Sequence, residues 1–175
     1  LGSQFILAAA GIAPGERWYD ACAGAGGKTL QLARLVGTAG RVEAHDIRPS
    51  ALAELGARAA RAGLRNITIR RAPPPDTDRY DGVLVDAPCS GSGTWRRAPH
   101  FKWLTTATDL AQQATRQLAL LAQAAGWVRP GGRLVYATCS LAETENAGVV
   151  AAFLATHPAF APAPPAATLG YAAAG

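Results

Sequence analysis

From residue 17 to residue 157 the chain alternates short strand-like runs with helix-like segments, and no other feature narrows the possible folds as much. "RWYDAC" (17–22), "RVEAHD" (41–46), "NITIRR" (66–71), "YDGVLVD" (80–86) and "RLVYATCS" (133–140) read as strands. Between and after them, "KTLQLARLV" (28–36), "PSALAELGARAARAG" (49–63), "TTATDLAQQATRQLALLAQAAGWV" (105–128) and "ETENAGVVAAFLATH" (143–157) have helical spacing. Proline opens the second of these helices, and Thr106 with Asp109 has the spacing of a capping box at the start of the third. "PGG" reads as a turn before the last strand. Strands separated by helices form right-handed βαβ units, so the pattern predicts an α/β fold with a doubly wound, mostly parallel sheet.

A chain of 175 residues is one domain with room for a full core. The catalytic or binding core is expected over 1–157, and the Pro/Ala-rich stretch 158–175 is expected to be a poorly ordered tail. No convincing closing strands follow residue 140, so the sheet is expected to lack its last strands. The chain contains no methionine, which suggests a piece of a longer protein. No apolar run approaches the ~18–20 residues of a membrane span. The net charge of +5 comes from arginine, because Lys28 and Lys102 are the only lysines. That charge leaves two readings open, a GC-rich coding sequence and a nucleic-acid partner. Three cysteines without a CxxC pair make neither a disulfide framework nor the local spacing of a zinc site. A reducing, cytoplasmic setting without bound metal is the expectation.

"DACAGAGGKT" (20–29) follows the first strand and opens a helix. It fits neither the P-loop spacing nor GxGxxG, since Thr29 stands at the third glycine position. Its glycines still permit a tight turn and close backbone approach, at a helix N-terminus that offers unpaired N–H groups. The second strand ends in Asp46, where an acid can bind both hydroxyls of a ribose; its competing role is to cap the helix that starts at Pro49. Glycine loop and strand-end acid together suggest an adenosine cofactor.

In the usual open α/β order the first, fourth and fifth strands are neighbours. Cys22, Cys89 and Cys139 then gather at the carboxyl edge of the sheet with Asp86, at the switch point where ligands bind. A thiolate is a strong carbon nucleophile. Added to carbon 6 of a pyrimidine, it turns carbon 5 into an enamine-like centre able to take a methyl group. A carboxylate beside the ring could hold cytosine, and a second thiol could assist release.

The segments "LGSQ", "DACAGAGGKT", "VDAPCSGSGTWRRAPHFKW" and "YATCSLAETEN" occur in the order, and over most of the length, of the Fmu/Nop/NSUN family of S-adenosylmethionine-dependent RNA cytosine-C5 methyltransferases, which the chain resembles. The resemblance implies a Rossmann-like class I methyltransferase core acting on RNA, most naturally ribosomal RNA. It implies Cys139 as the nucleophile, Cys89 as the thiol that assists release, and Asp86 as the contact to cytosine. The cofactor would lie on Cys22, Ala23, Gly24, Ala25, Gly26, Gly27 and Lys28, with Asp46 on its ribose and Asp86 beside it. Lys28 would support the site electrostatically.

Lys102 matches a family lysine near the substrate, and Arg96 and Arg97 lie with it in "TWRRAPHFKW", where bases and aromatics interleave as in single-strand binders. Two departures stand out. Ala25 replaces a usual proline, and after the third strand Ala72 stands where the family places an acid near adenine, unless Asp76 reaches back. DNA cytosine methyltransferases use the cysteine after the fourth-strand proline, the position of Cys89, as nucleophile; they form one alternative. A non-catalytic RNA-binding module that has lost the cofactor forms the other.

Overall fold

The computed structural model describes residues 2–94, 103 and 105–163, with the side chains of 2–5 excepted. Helix α1 (Gly2–Ala9) precedes β1 (Arg17–Asp20), α2 (Gly27–Val36), β2 (Arg41–His45), α3 (Pro49–Arg61), β3 (Ile67–Arg70) and β4 (Tyr80–Asp86). After a short 3-10 turn at Ser92–Thr94 come α4 (Ala107–Ala125), β5 (Val128–Ala137), a second 3-10 turn at Glu143–Glu145 and α5 (Ala147–Thr156).

Among the described residues the strands form one sheet in the order β3-β2-β1-β4-β5, and each pairing is parallel. The chain reverses direction between β1 and β4, which opens a crevice there. Parallel strands are covered on both faces and read as near-continuous apolar runs. β4 follows that rule, with Tyr80 and Gly82–Val85 buried. Alternate residues serve opposite layers. Trp18 and Leu84 join Leu7, Leu32, Val36 and Val42 beneath α1 and α2. Tyr19, Val83 and Val85 join Leu121, Trp127, Val149 and Phe153 beneath α4 and α5. Leu55 of α3 closes a smaller cluster over Ala23 and Ala44. Gly82 exists for Trp18: a Cβ there would lie 2.3 Å from the indole.

The structure moves several boundaries. β1 and β5 end at Asp20 and Ala137, so Cys22 and Cys139 lie in the loops just beyond, where their chemistry is less constrained by the ladder. "PGG" is not a separate turn before β5 but a bulge inside it. Pairing steps from Tyr80 with Val128 to Gly82 with Arg133, so the extra residues loop out, with Gly131 at φ 72°. The segment 143–157 is not one helix either: a 3-10 turn and then Asn146, at φ −119°, interrupt it before α5. α1, which the strand–helix pattern did not include, is held by Leu7 in the core. The capping box of α4 is present, with Asp109 N–H donating to the Thr106 hydroxyl and Thr106 N–H to the Asp109 carboxylate. Beyond α5, Phe160 packs edge-on against Phe153.

Candidate active site

Four loops meet at the carboxyl ends of the strands, one each after β1, β2, β4 and β5. The loop after β1 turns on Gly24 and Gly26, at φ 54° and 86°, a region that favours glycine. A side chain at Gly26 would also strike Leu55 at 2.8 Å. Gly26 is the N-cap of α2, and no side chain caps that helix, so its first turn presents backbone donors to the crevice. Arg58 of α3 braces the loop by donating to the Ala25 carbonyl (2.8 Å). That bond uses backbone at residue 25, so alanine serves where proline was expected.

Asp46 follows β2 directly and is buried. Its Oδ2 accepts from Gly24 N (2.8 Å), and its Oδ1 accepts from Arg48 N and Arg48 Nε (2.9 Å each). Asp46 is therefore not the N-cap of α3; that position belongs to Arg48, which makes no side-chain cap. The Arg48 guanidinium, ahead of the opposing cost of burial, and the backbone donors bring the Asp46 carboxyl down to about 2. It is a fixed anion beside the glycine loop, its two oxygens taking four bonds from Gly24 and Arg48. Ala72 and Asp76 are both exposed in the loop between β3 and β4, and the Asp76 carbonyl accepts from Arg79.

Lys28, the second residue of α2, reaches Asp86 at the end of β4, with Nζ 2.6 Å from Oδ2. Beneath them Asp20 is fully buried and bonded by the Thr29 hydroxyl (2.7 Å). Burial pushes Asp20 up to about 7 against that bond, and the Asp86 charge adds to the shift. The Lys28 ammonium thus lies between carboxylates from two strand ends, Asp86 of β4 and Asp20 of β1.

The thiols separate into one and two. Cys22 packs against the core under α4 and α5. Burial pushes its thiol up to about 12, with Asp20, Asp46 and Asp86 adding to the shift. Cys89 and Cys139, fifty residues apart in sequence, bring their Sγ atoms to 3.2 Å. Cys139 is exposed, yet local burial, the Cys89 sulfur and the Asp86 charge push its thiol up to about 11. At neutral pH it rests as a thiol.

The loops carrying these cysteines are tied by groups to which the sequence reading assigned no role. Gly93 N donates to the Cys139 carbonyl (2.9 Å), and the Ser92 hydroxyl accepts from Leu141 N (2.7 Å). Ser90 and Ser140, each directly after a cysteine, both bond the buried Glu145. The one signal for them in the sequence is the repeated "CS" with an acid five residues after the second. Arg96, Arg97 and Lys102 lie outside the described residues. Among the described residues no group of three or more His, Cys, Asp or Glu side chains could hold a metal ion. No helix among them is long and apolar enough to cross a membrane.

A parallel sheet in this order, a glycine turn after β1 and an acid after β2 define the Rossmann-like core of a class I methyltransferase. The family model for 16S rRNA methyltransferase RsmB/F matches residues 8–169, and the chain belongs to that family of S-adenosylmethionine-dependent RNA methyltransferases. It is 43% identical over 156 residues to the ribosomal RNA small subunit methyltransferase B of Thermus thermophilus, covering 86% of this chain and 37% of the relative. To the probable ribosomal RNA small subunit methyltransferase B of Bacillus subtilis it is 38% identical over 153 residues, covering 84% and 34%. The structure of NSun6 from Pyrococcus horikoshii with SFG superposes with a TM-score of 0.78 at 28% identity, over 87% of this chain and 40% of that one. The chain thus spans little more than a third of the length of these curated relatives.

Proposed function

We propose that this chain is the catalytic core of an enzyme that methylates carbon 5 of cytosine in 16S ribosomal RNA, in the cytoplasm, through a covalent bond between Cys139 and carbon 6. The observation that carries the reading is the pair of sulfurs 3.2 Å apart at the carboxyl edge of the sheet, on the loops that follow β4 and β5. The glycine turn, the uncapped start of α2 and the Asp46 carboxylate fit an adenosine-bearing cofactor. S-adenosylmethionine bound there, on residues 22–28 with Asp46 toward its ribose, would supply an electrophilic methyl group.

The roles of this chain's residues follow from their chemistry. Asp86 accepts from the cytosine amine, and from ring N3 once that nitrogen carries a proton, and Lys28 fixes the orientation of that carboxylate. Cys139 rests protonated, and as its sulfur adds to carbon 6 its proton passes by way of the Asp86 carboxylate to ring N3. Carbon 5 then becomes nucleophilic and accepts the methyl group. Loss of the carbon 5 proton expels Cys139, and Cys89, at hydrogen-bond distance, takes that proton while handing its own to the departing sulfur. Arg96, Arg97 and Lys102 contact the RNA, and the target base leaves its stack to reach the sulfurs.

The test uses the full-length protein, S-adenosylmethionine and 16S RNA containing 5-fluorocytosine. Fluorine cannot leave as a proton does, so the enzyme stays attached. A denaturing gel should show the adduct and peptide mass spectrometry should place it on Cys139. Attachment at Cys89 would reverse the roles of the two thiols and favour the DNA-type chemistry. No adduct from folded protein that binds the RNA would sink the covalent reading in favour of a binding module.

A further inference from the structure

We infer that Glu145 is the positioning residue that holds the two thiol-bearing loops in register and so sets the approach of Cys89 to Cys139. Glu145 closes the 3-10 turn between β5 and α5 and is fully buried. Its Oε1 accepts from Ser90 N (2.9 Å) and Gln117 Nε2 (3.0 Å). Its Oε2 accepts from the Ser90 and Ser140 hydroxyls, at 2.5 Å each. Four donors therefore converge on one carboxylate, and three of them come from the residues that directly follow the two cysteines.

The remaining bonds extend the clip to both sides. Gln117 also donates to the carbonyl of Pro88 (2.9 Å), the residue before Cys89. Tyr136 of β5 donates to Gln117 Oε1 (3.0 Å) and to the Glu145 carbonyl (2.7 Å). Asn146 accepts from Thr138 (2.7 Å) and donates to the Ser140 carbonyl (3.0 Å), bracketing Cys139. The loops come from different strands, and the sheet ladder ends before either cysteine. Burial would raise the Glu145 carboxyl, yet the bonds from Ser140, Ser90 and Gln117 leave it below the ordinary glutamate range. The carboxylate is thus ionised, and an ionised acceptor makes short, strong bonds. Glu145 touches no reacting atom in this scheme and acts through the two loops.

The activity half of this inference rests on the two-thiol reading above; the geometric half does not. The experiment therefore has two readouts on the full-length protein. The first is the rate at which hydrogen peroxide joins Cys89 and Cys139. Two thiols become one disulfide, the peroxide takes both electrons and leaves as two waters, and peptide mass spectrometry measures the product. The second is methyl transfer to 16S RNA, resolved into kcat and KM. Glu145→Ala should slow disulfide formation about tenfold or more and lower kcat by about as much, with KM for RNA changed less than about threefold, since a misplacement of about 1 Å costs about 10²-fold. Glu145→Gln, which keeps one carbonyl acceptor, should recover part of both rates. Should Glu145→Ala fail to fold, Ser140→Ala, which leaves three of the four donors on the carboxylate, carries the same expectation in smaller measure. A folded variant with wild-type disulfide formation overturns the inference, whatever its kcat. If the wild-type protein transfers no methyl group, the proposed function falls and the disulfide rates still decide the role of Glu145.

Discussion

Gly93→Ala tests how finely the two thiol loops are fitted to each other. Gly93 does not lie in the left-handed region, so alanine meets no backbone penalty and the effect is steric. A Cβ built there falls 2.7 Å from the Cys139 carbonyl oxygen, where real contacts essentially never come under 3.0 Å. The obstacle is backbone, so no side chain can swing aside. The loops must separate by about 0.7 Å to reach ordinary contact. The bond from Gly93 N to the Cys139 carbonyl, 2.9 Å, is strained or lost at about 1 kcal/mol. Because about 1 Å of misplacement costs about 10²-fold, a shift of about 0.7 Å should lower kcat about tenfold or more. Urea unfolding and methyl transfer to 16S RNA, measured on the full-length protein, separate the effects: stability should fall by about 1–2 kcal/mol and kcat by about an order of magnitude. Gly56→Ala in α3 is the control. There the nearest atom is an Ile69 methyl at 3.3 Å, which can move, so both quantities should stay near wild type. Gly93→Ala with activity within twofold of wild type would refute the claim that loop spacing limits the reaction.

Two further outcomes follow from the core and the thiols. Gly82→Ala should destabilise the protein by about 1–3 kcal/mol or more through overpacking, because its methyl would meet the outer ring of Trp18 at 2.3–2.5 Å. Trp18→Phe removes that outer ring and should restore part of the loss, so a chemical-denaturation cycle with additive effects would contradict the fit. Alkylation of Cys139 by iodoacetamide, followed by peptide mass spectrometry, should climb about tenfold per pH unit from pH 7 past pH 9, since only the thiolate reacts and an ordinary thiol would level off near about 8.5. The sign follows from a thiol pushed up to about 11; a plateau at or below pH 8.5 would mean that burial and the Asp86 charge are not felt at that sulfur.

The alternation of strand and helix determined, from the sequence, the parallel sheet, and the usual open α/β order placed Cys22, Cys89, Cys139 and Asp86 together on its carboxyl edge. That much is local, since chain direction, hydrophobic period and handed crossovers leave few arrangements. The four chemically distinctive segments also carried the family. What the sequence could not express is the geometry between residues far apart in the chain. The resemblance gave Cys139, Cys89 and Cys22 different roles, but only packing lays the half-buried Cys22 against the core and brings Cys89 to 3.2 Å from Cys139. "PGG" had every local mark of a turn, but the ladder between β4 and β5 continues past it. Glu145 reads in sequence as an acid in the first turn of a helix over 143–157. Tertiary structure buries it and aims four donors at it from α4 and from the loops after β4 and β5. Hydrophobic period is a property of neighbours in the chain. Hydrogen-bond satisfaction of a buried charge depends on which loops the finished sheet brings together, so it is decided only when the fold is complete.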